Sequence, residues 1–301
     1  MRRGALLVVL LAATTACRHR PVAPSNPEPL PGAPPADVRE LSLDGGFITV
    51  RVDIPREPPG PKPVVLALLG ERPRMLRAGL ATVGYNVHWE LLAPLAAGRP
   101  KPPPAERMWG KWLLASPSPR TIGQGYFGLI TADATVTIPR VLDALSGIPD
   151  IDMTRVGIAG TSTTGFTALQ AIAADSRITA AVVGAACGDY HRFLYGSNLA
   201  MDGEFLDLDP GYEAWLHSIE PNRHPERMVH AALLLLAGDQ DPVIPRRCIE
   251  VTVEVLRRAY AEAGVPERFA YRVVPGLGHS FTQPLVDDMM AWWARWLTGG
   301  S

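Results

Sequence analysis

The residues with the clearest chemical potential lie in the segment 160–165, where one serine stands among small residues. The segment reads GTSTTG and follows an apolar run that ends at Ala159; a run rich in alanine and leucine comes after it. This order predicts a buried strand, a sharp turn that carries Ser162, and a helix. Such a turn needs slender neighbours, because the strand and the helix approach each other closely, and Gly160 and Gly165 supply that room. Ser162 is therefore a candidate nucleophile for attack on a carbonyl carbon.

Two other interpretations apply to the same segment. A serine between glycines also occurs in an ordinary turn between a strand and a helix of a doubly wound sheet. The spacing of Gly160 and Gly165 matches a phosphate-binding loop, with Thr167 in the hydroxyl position. However, Phe166 stands where such a loop has the lysine that neutralises phosphate, so we set phosphate binding aside.

Segment 160–165 resembles the nucleophile elbow of the α/β-hydrolases, G-x-S-x-G, and two later segments resemble the rest of that family's site. The apolar run 231–237 leads into GDQDPVIP, which is similar to the family's acid turn and puts Asp241 in the acid position. Asp239 is the competing candidate, although it could instead cap the turn. His279, in GLGHSF, is the only histidine after Asp241 and completes the family's order of nucleophile, acid and histidine.

The resemblance covers about residues 37–298 and implies roles for the backbone as well. In the family, N–H groups stabilise the oxyanion, and the matching positions here are Thr163 and Glu71. Two residues depart from the family's pattern. Thr164 stands where the elbow has its second glycine, and the carboxylate of Glu71 would oppose catalysis unless it points away from the developing negative charge.

The fold class predicted from the pattern of elements is α/β, because apolar strands alternate with helical segments. The resemblance implies a mostly parallel, doubly wound sheet of eight strands, the α/β-hydrolase fold. We expect residues 188–228 to form an inserted cap over the active site, with a solvated helical excursion as the alternative. Strands are predicted at 40–43, 47–54, 64–69, 85–92, 155–159, 178–186, 231–237 and 269–274, and helices at 75–83, 127–145 with a kink or interruption at Pro139, 166–174 and 284–297.

The N-terminal residues predict export and membrane attachment. Residues 1–16 have two arginines and a short apolar run, as in a signal peptide, and the junction with Cys17 resembles a bacterial lipoprotein signal. We expect Cys17 to be lipidated, with ordinary cleavage after Ala16 as the alternative. Residues 17–36 are rich in proline and predict an extended tether between a lipid anchor in the cell envelope and the hydrolase domain at 37–301. Without lipidation, the protein would be periplasmic or secreted.

The composition narrows the class of protein. The chain has 301 residues, 47% of them hydrophobic, and a net charge of −1, which suits one large domain and no nucleic-acid partner. We expect Cys187 and Cys248 to be buried free thiols, with a disulfide as the alternative. The spacing of His217, His224 and His230 fits no zinc motif, so no metal site is predicted.

These inferences favour a serine hydrolase that cleaves a small-molecule carboxylic ester and needs no cofactor. Among relatives, the resemblance is strongest to dienelactone hydrolases and to the catalytic domains of prolyl oligopeptidases. Ser162 replaces the cysteine of the former, and the chain is short for the propeller of the latter, so an esterase is favoured. The alternatives are a peptidase or amidase of the same fold, and a catalytically inactive binding module displayed at the surface.

Overall fold

Eight strands form one sheet in the computed structural model, which describes residues 32–68, 70–87, 127–197 and 210–299. The strands are β1 (Ala36–Leu43), β2 (Ile48–Pro55), β3 (Lys62–Ala67), β4 (Ala81–Val87), β5 (Ile151–Thr161), β6 (Ile178–Gly184), β7 (Ala232–Gly238) and β8 (Phe269–Val274). Their order across the sheet is β1-β2-β4-β3-β5-β6-β7-β8. β2 pairs antiparallel with β1 and β4, and all the later pairs are parallel, so the predicted mostly parallel α/β sheet is confirmed.

Helices cover both faces of the sheet. They are α1 (Arg72–Arg77), α2 (Ile138–Leu145), α3 (Thr163–Ala174), α4 (Tyr190–Gly196), α5 (Pro210–Ile219), α6 (Arg246–Glu262) and α7 (Gln283–Trp296). Side chains of α2, α3 and α6 join a large buried cluster on one face, whereas α1 and α7 contribute to a smaller cluster on the other. On α7, Trp293 is only 1% exposed and belongs to the smaller cluster, so this helix docks on the sheet through a side that carries tryptophan.

β6 and β7 and most of β3 are apolar because both of their faces are covered. In β3, Val64 and Leu66 belong to the larger cluster, and the alternate residues Val65 and Ala67 belong to the smaller one. Alternate side chains of a strand point to opposite faces, so one apolar run serves two cores. The carboxyl ends of the parallel strands meet at one edge of the sheet, and the loops that leave this edge carry the candidate site.

The first predicted helix is wrong at both ends. The sequence predicts a helix over 75–83, but α1 covers Arg72–Arg77 and β4 begins at Ala81. Gly79 has a φ of 77°, a left-handed conformation that ends helices readily and costs glycine little. The chain therefore turns two residues after α1, and residues 81–83 enter the sheet. The predicted strand 85–92 begins four residues earlier than expected, and its last part lies outside the described residues.

Pro139 does not interrupt the helical path, contrary to one of the two predicted outcomes; the chain instead forms a wide helical turn just before it. Residues 127–132 are helical, Asp133–Thr137 form a π-helix, and α2 follows without a break. Proline lacks an N–H, and its ring crowds the carbonyl four residues before it. A wider turn relieves this steric conflict. The same turn places Asp133 against Tyr85 of β4, whose hydroxyl donates to the carboxylate at 3.1 Å.

Several predictions fall on residues outside the described ranges. Signal peptide residues 1–16, Cys17 and the tether as far as residue 31 lie there, as do residues 198–209 of the expected cap. Within the described ranges, none of the helices combines the length and the apolarity needed to cross a bilayer. The described parts of 188–228 form α4, α5 and two short 3₁₀ turns, Pro221–Arg223 and Pro225–Arg227.

Candidate active site

Ser162 lies on the sharp turn between β5 and α3. Its φ of 54° and ψ of −123° are rarely adopted by a residue with a side chain, and such strain persists only where the surrounding structure holds it. Its N–H donates to the carbonyl of Gly184 at the end of β6, at 2.9 Å, and its carbonyl accepts from Phe166 in α3 at 3.0 Å. Backbone bonds to a strand and to a helix thus fix the serine at the edge of the sheet.

The glycines on either side of Ser162 are required by close packing. A Cβ at Gly160 would overlap the carbonyl of Thr164, and a Cβ at Gly165 would lie 2.8 Å from the carbonyl of Gly184. Neither position has room for a side chain. The strand and the helix can therefore approach this closely only because both residues are glycine. The sequence-based reason for the two glycines agrees with these contacts.

Thr164 has a structural role that explains its departure from the elbow pattern. Its Oγ1 accepts a hydrogen bond from the N–H of Thr161 at 2.9 Å, and its hydroxyl also lies 2.9 Å from the carbonyl of Thr161. The carbonyl of Leu68, beyond the end of β3, lies 3.4 Å from the same oxygen. A glycine could make none of these contacts. Thr164 therefore ties the end of β5 to the turn, and the glycine needed for close packing falls at Gly165 instead.

The structure brings Ser162, His279 and Asp241 together in one hydrogen-bonded chain. His279 Nε2 lies 2.9 Å from Ser162 Oγ, and His279 Nδ1 lies 2.8 Å from Asp241 Oδ2. The side chain of Asp241 is 1% exposed and that of His279 is 11% exposed. The three residues come from turns after β5, β7 and β8, whose carboxyl ends share one edge of the sheet. A base within reach of the hydroxyl, itself oriented by a buried carboxylate, is the geometry required for nucleophilic catalysis by serine.

Both oxygens of Asp241 have partners. Oδ1 accepts from the N–H groups of Val243 and Ile244, at 2.8 and 3.0 Å, which leaves Oδ2 for the imidazole of His279. The competing candidate, Asp239, points elsewhere: its Oδ1 accepts from the N–H of Gly276 at 2.6 Å. Asp239 thus holds the turn that precedes the histidine, in keeping with the capping alternative raised by the sequence.

The two residues expected to bind the oxyanion follow two neighbouring strands of the sheet, β5 and β3. Thr163 is the first residue of α3, directly after Ser162. Glu71 precedes α1, and its carbonyl accepts from the N–H of Arg74 at 3.1 Å, as the start of a helix requires. The chain just before Glu71 reaches the elbow through the contact between Leu68 and Thr164. The side chain of Glu71 makes no capping bond to α1.

A disulfide lies beside the site, and it corrects the expectation of two free thiols. Cys187, in the loop after β6, is bonded to Cys248 in α6, with the two Cα atoms 5.8 Å apart. Both residues are fully buried, as predicted. The error lies in the pairing, because 61 residues separate the two cysteines and only the fold brings them within bonding distance. The bond fastens α6, which follows the acid turn, to the loop after β6.

The sequence profile of the prolyl oligopeptidase family matches residues 138–300, which is more than half of the 301-residue chain and includes Ser162, Asp241 and His279. The chain belongs to the prolyl oligopeptidase family. It is therefore a serine hydrolase of the α/β-hydrolase superfamily, as the sequence motifs predict. No curated protein sequence gives a significant match to this member of the family.

Solved structures similar to this prolyl oligopeptidase family member include peptidases and esterases. A puromycin-hydrolysing peptidase from Mycobacterium tuberculosis is 21% identical with a TM-score of 0.58, over 87% of this chain but only 39% of its own. A glucuronoyl esterase from Solibacter usitatus is 16% identical with a TM-score of 0.56, over 96% of this chain and 91% of its own. A putative dienelactone hydrolase from Klebsiella pneumoniae is 18% identical with a TM-score of 0.51, over 87% and 99%. At these identities the likeness is one of fold.

Proposed function

We propose that the protein cleaves carboxylic esters through an acyl-enzyme formed on Ser162. The observation that carries the proposal is the hydrogen-bonded chain from Ser162 Oγ through the imidazole of His279 to the buried carboxylate of Asp241. In this arrangement His279 Nε2 accepts the hydroxyl proton as Oγ attacks the ester carbonyl. Asp241 accepts from Nδ1 and stabilises the imidazolium that forms. The N–H groups of Thr163 and Glu71 are the proposed donors to the oxyanion.

The same groups complete the formation of the acyl-enzyme and then its hydrolysis. The proton held on His279 Nε2 passes to the leaving alkoxide, and the alcohol departs while the acyl group stays on Ser162. Water then enters, gives a proton to His279 and attacks the acyl carbon. Collapse of that intermediate releases the carboxylic acid and returns the proton to Ser162 Oγ. Water is the only co-substrate in this scheme. The proposed backbone donors stabilise the negative charge that develops on the carbonyl oxygen.

The share of each similar structure that aligns with this chain favours ester over amide substrates. The glucuronoyl esterase and the putative dienelactone hydrolase match over nearly their whole lengths, whereas the puromycin-hydrolysing peptidase matches over about two-fifths of its chain. Family membership keeps peptide or amide cleavage as a second candidate, since the same three residues can perform it. An inactive binding module is disfavoured, because such a module has no need for the aligned contacts of His279.

Turnover of matched esters and amides tests the proposed activity. The full-length protein is assayed with p-nitrophenyl esters of increasing acyl length and with p-nitroanilides that carry the same acyl groups. We expect kcat/KM for the best ester to exceed that of its anilide by several orders of magnitude. Comparable values, or a preference for prolyl anilides, would assign the site to peptidase chemistry. No turnover of either series would favour the binding module.

We also propose that the mature protein is held at the bacterial cell envelope by a lipid on Cys17. The support is the sequence around Cys17, together with the proline-rich stretch that separates it from β1. An extended tether of this length spans about 50 Å at roughly 3 Å per residue. The active-site edge would thus be free to meet small substrates away from the membrane surface.

A further inference from the structure

Three potential metal ligands meet where α4 and α5 come together. His191 lies in α4, and Glu213 and His217 lie in α5. One ligand atom from each residue can be chosen so that all three lie within 4.8 Å of one another, and each of the residues is partly exposed. The sequence predicted no metal site among His217, His224 and His230. It could not reveal this cluster, because His191 comes from a different helix.

The backbone holds the three side chains in place. Glu213 and His217 are four residues apart in α5, so they lie on the same side of the helix, one turn from each other. His191 sits in the first turn of α4, and its N–H donates to the buried carboxylate of Glu220 at 2.9 Å. Glu220 in turn accepts from Arg223 at 2.8 Å. A residue just beyond α5 therefore fixes the start of α4.

The contact between the two imidazoles has the spacing expected of ligands to one ion. His191 Nδ1 lies 3.2 Å from His217 Nε2. Two nitrogens bound to tetrahedral zinc at about 2.0–2.1 Å stand about 3.3 Å apart. Glu213 lies on the same helix as His217, and one of its carboxylate oxygens is 3.4 Å from the other ring nitrogen of His191, Nε2. The carboxylate would therefore have to turn to reach an ion held between His191 Nδ1 and His217 Nε2. Because the residues are partly exposed, an ion could enter from solvent and water could complete its coordination.

We propose that His191, Glu213 and His217 form a binding site for a divalent transition metal, with Zn²⁺ as the reference ion. Two imidazoles and one carboxylate suit Zn²⁺, Co²⁺, Ni²⁺ or Cu²⁺, whereas Mg²⁺ and Ca²⁺ prefer oxygen ligands. The proposal does not depend on the ester-cleaving function, since none of its residues belongs to the hydrogen-bonded chain of Ser162, His279 and Asp241.

The bound ion would join α5 to α4, the helix that borders the candidate-site edge. α4 follows the loop after β6, and the end of β6 supplies the carbonyl that holds Ser162 N–H. A Cβ at Gly196, the last residue of α4, would lie 3.0 Å from Pro245 in the acid turn, so the helix packs directly on that turn. An ion shared by α4 and α5 would therefore stabilise one wall of the site without touching the reacting atoms.

Titration of the metal-free protein tests the site. Full-length protein without a polyhistidine tag is treated with EDTA, dialysed, and titrated with Zn²⁺ by calorimetry and with Co²⁺ by visible absorption. We expect one equivalent of Zn²⁺ to bind, the d–d bands of a tetrahedral nitrogen and oxygen site to appear with Co²⁺, and the melting temperature to rise with Zn²⁺. Absence of stoichiometric binding would overturn the proposal.

Variants assign the binding to these residues. His191→Gln, His217→Gln and Glu213→Gln should each weaken Zn²⁺ binding by at least about tenfold, because even indirect partners of metal ligands are worth that much. His224→Gln removes a half-buried histidine outside the cluster and should bind Zn²⁺ like the parent. Glu213 is 43% exposed, so its variant should fold normally even if a histidine variant does not. Unchanged affinity in the Glu213 and His217 variants would place the metal elsewhere and refute the assignment.

Discussion

The two carboxylates of the turn after β7 have different partners, and this difference predicts different effects of substitution. Asp241→Asn should lower kcat by about 10⁴-fold, because an amide in place of Oδ2 favours the wrong imidazole tautomer. Asp239→Asn keeps an oxygen that can accept from Gly276, so its loss should stay below about tenfold, roughly 1.4 kcal/mol. Steady-state rates on the best ester decide between them. A larger loss at Asp239 would overturn the assignment of the acid.

Thr164 should stabilise the elbow through its hydroxyl. Thr164→Val keeps the shape but leaves the N–H of Thr161 without this acceptor, which should lower the free energy of unfolding by about 1–3 kcal/mol. Thr164→Ser is the matched control, because it retains the oxygen and should lose much less. Urea unfolding of the three proteins measures the difference. Equal stability of the valine variant and the parent would show that the contacts at 2.9 Å contribute nothing.

Among the elements, the π-helix Asp133–Thr137 carries an ionisable group that makes stability depend on pH. Burial raises the pKa of Asp133 from 3.8 to about 6 and also raises the pKa of its partner, Tyr85. As the pH rises from about 4 to 6, the unfolded chain releases this proton before the folded protein does. The contribution of Asp133 to the free energy of unfolding therefore falls over this range, by at most about 3 kcal/mol, and is constant above it.

Asp133→Asn tests this dependence, because an amide oxygen can still accept from the hydroxyl of Tyr85. Relative to the parent, the variant should gain stability between pH 4 and pH 6 and keep that gain at pH 7. Urea unfolding at each pH gives the difference, and Glu254→Gln, at an exposed carboxylate of α6, serves as the control with a parallel curve. A difference that does not change with pH, or that decreases, would contradict the raised pKa.

Most strands could be predicted from the sequence because each is a short apolar run bounded by turn residues. β7 is the clearest example, since it is apolar throughout and ends at Gly238. α1 was misplaced because the apolar residues beyond Gly79 fit a helix as well as a strand, and only pairing in the sheet decides between them. The positions of Ser162, Asp241 and His279 followed from motifs that each lie at the end of a strand. Their catalytic roles remain predictions.

The features that the sequence did not reveal all depend on contacts between distant segments. The disulfide requires Cys187 and Cys248 to be 5.8 Å apart, which spacing along the chain does not indicate. The hydroxyl contacts of Thr164 depend on the exact path of the elbow, so the residue was interpreted only as a departure from a pattern. The histidine pair at α4 and α5 likewise exists only after both helices have packed.

At the scale of the whole molecule, the candidate-site edge of the sheet is held by elements that lie far apart along the chain. α7, near the C terminus, covers the face of the sheet opposite α3, and a Cβ at Gly157 would collide with its Trp293 and with Leu297. The disulfide joins the loop after β6 to α6, the helix that follows the acid turn. This support on several sides explains how the strained backbone of Ser162 can be maintained.

Mass spectrometry of the mature N terminus tests the proposed anchor. We expect proteolysis to release an N-terminal peptide that begins at Cys17 and carries the added mass of a diacylglyceryl group. Cys17→Ser should abolish that mass and move the protein from the membrane fraction to the supernatant. An unmodified Cys17 on membrane-free protein would refute the anchor while leaving the fold and the proposed chemistry intact.

The central claim is that Ser162 is the nucleophile, and covalent labelling tests it most directly. A fluorophosphonate probe reacts with an activated serine, so the folded full-length protein should take up one equivalent, and peptide mapping should place the label on Ser162. Ser162→Ala should neither react nor hydrolyse the best ester, yet it should melt at the parent's temperature or slightly above, because the strain at this position does not depend on the hydroxyl. A label on another residue, or an alanine variant that keeps its activity, would contradict the account.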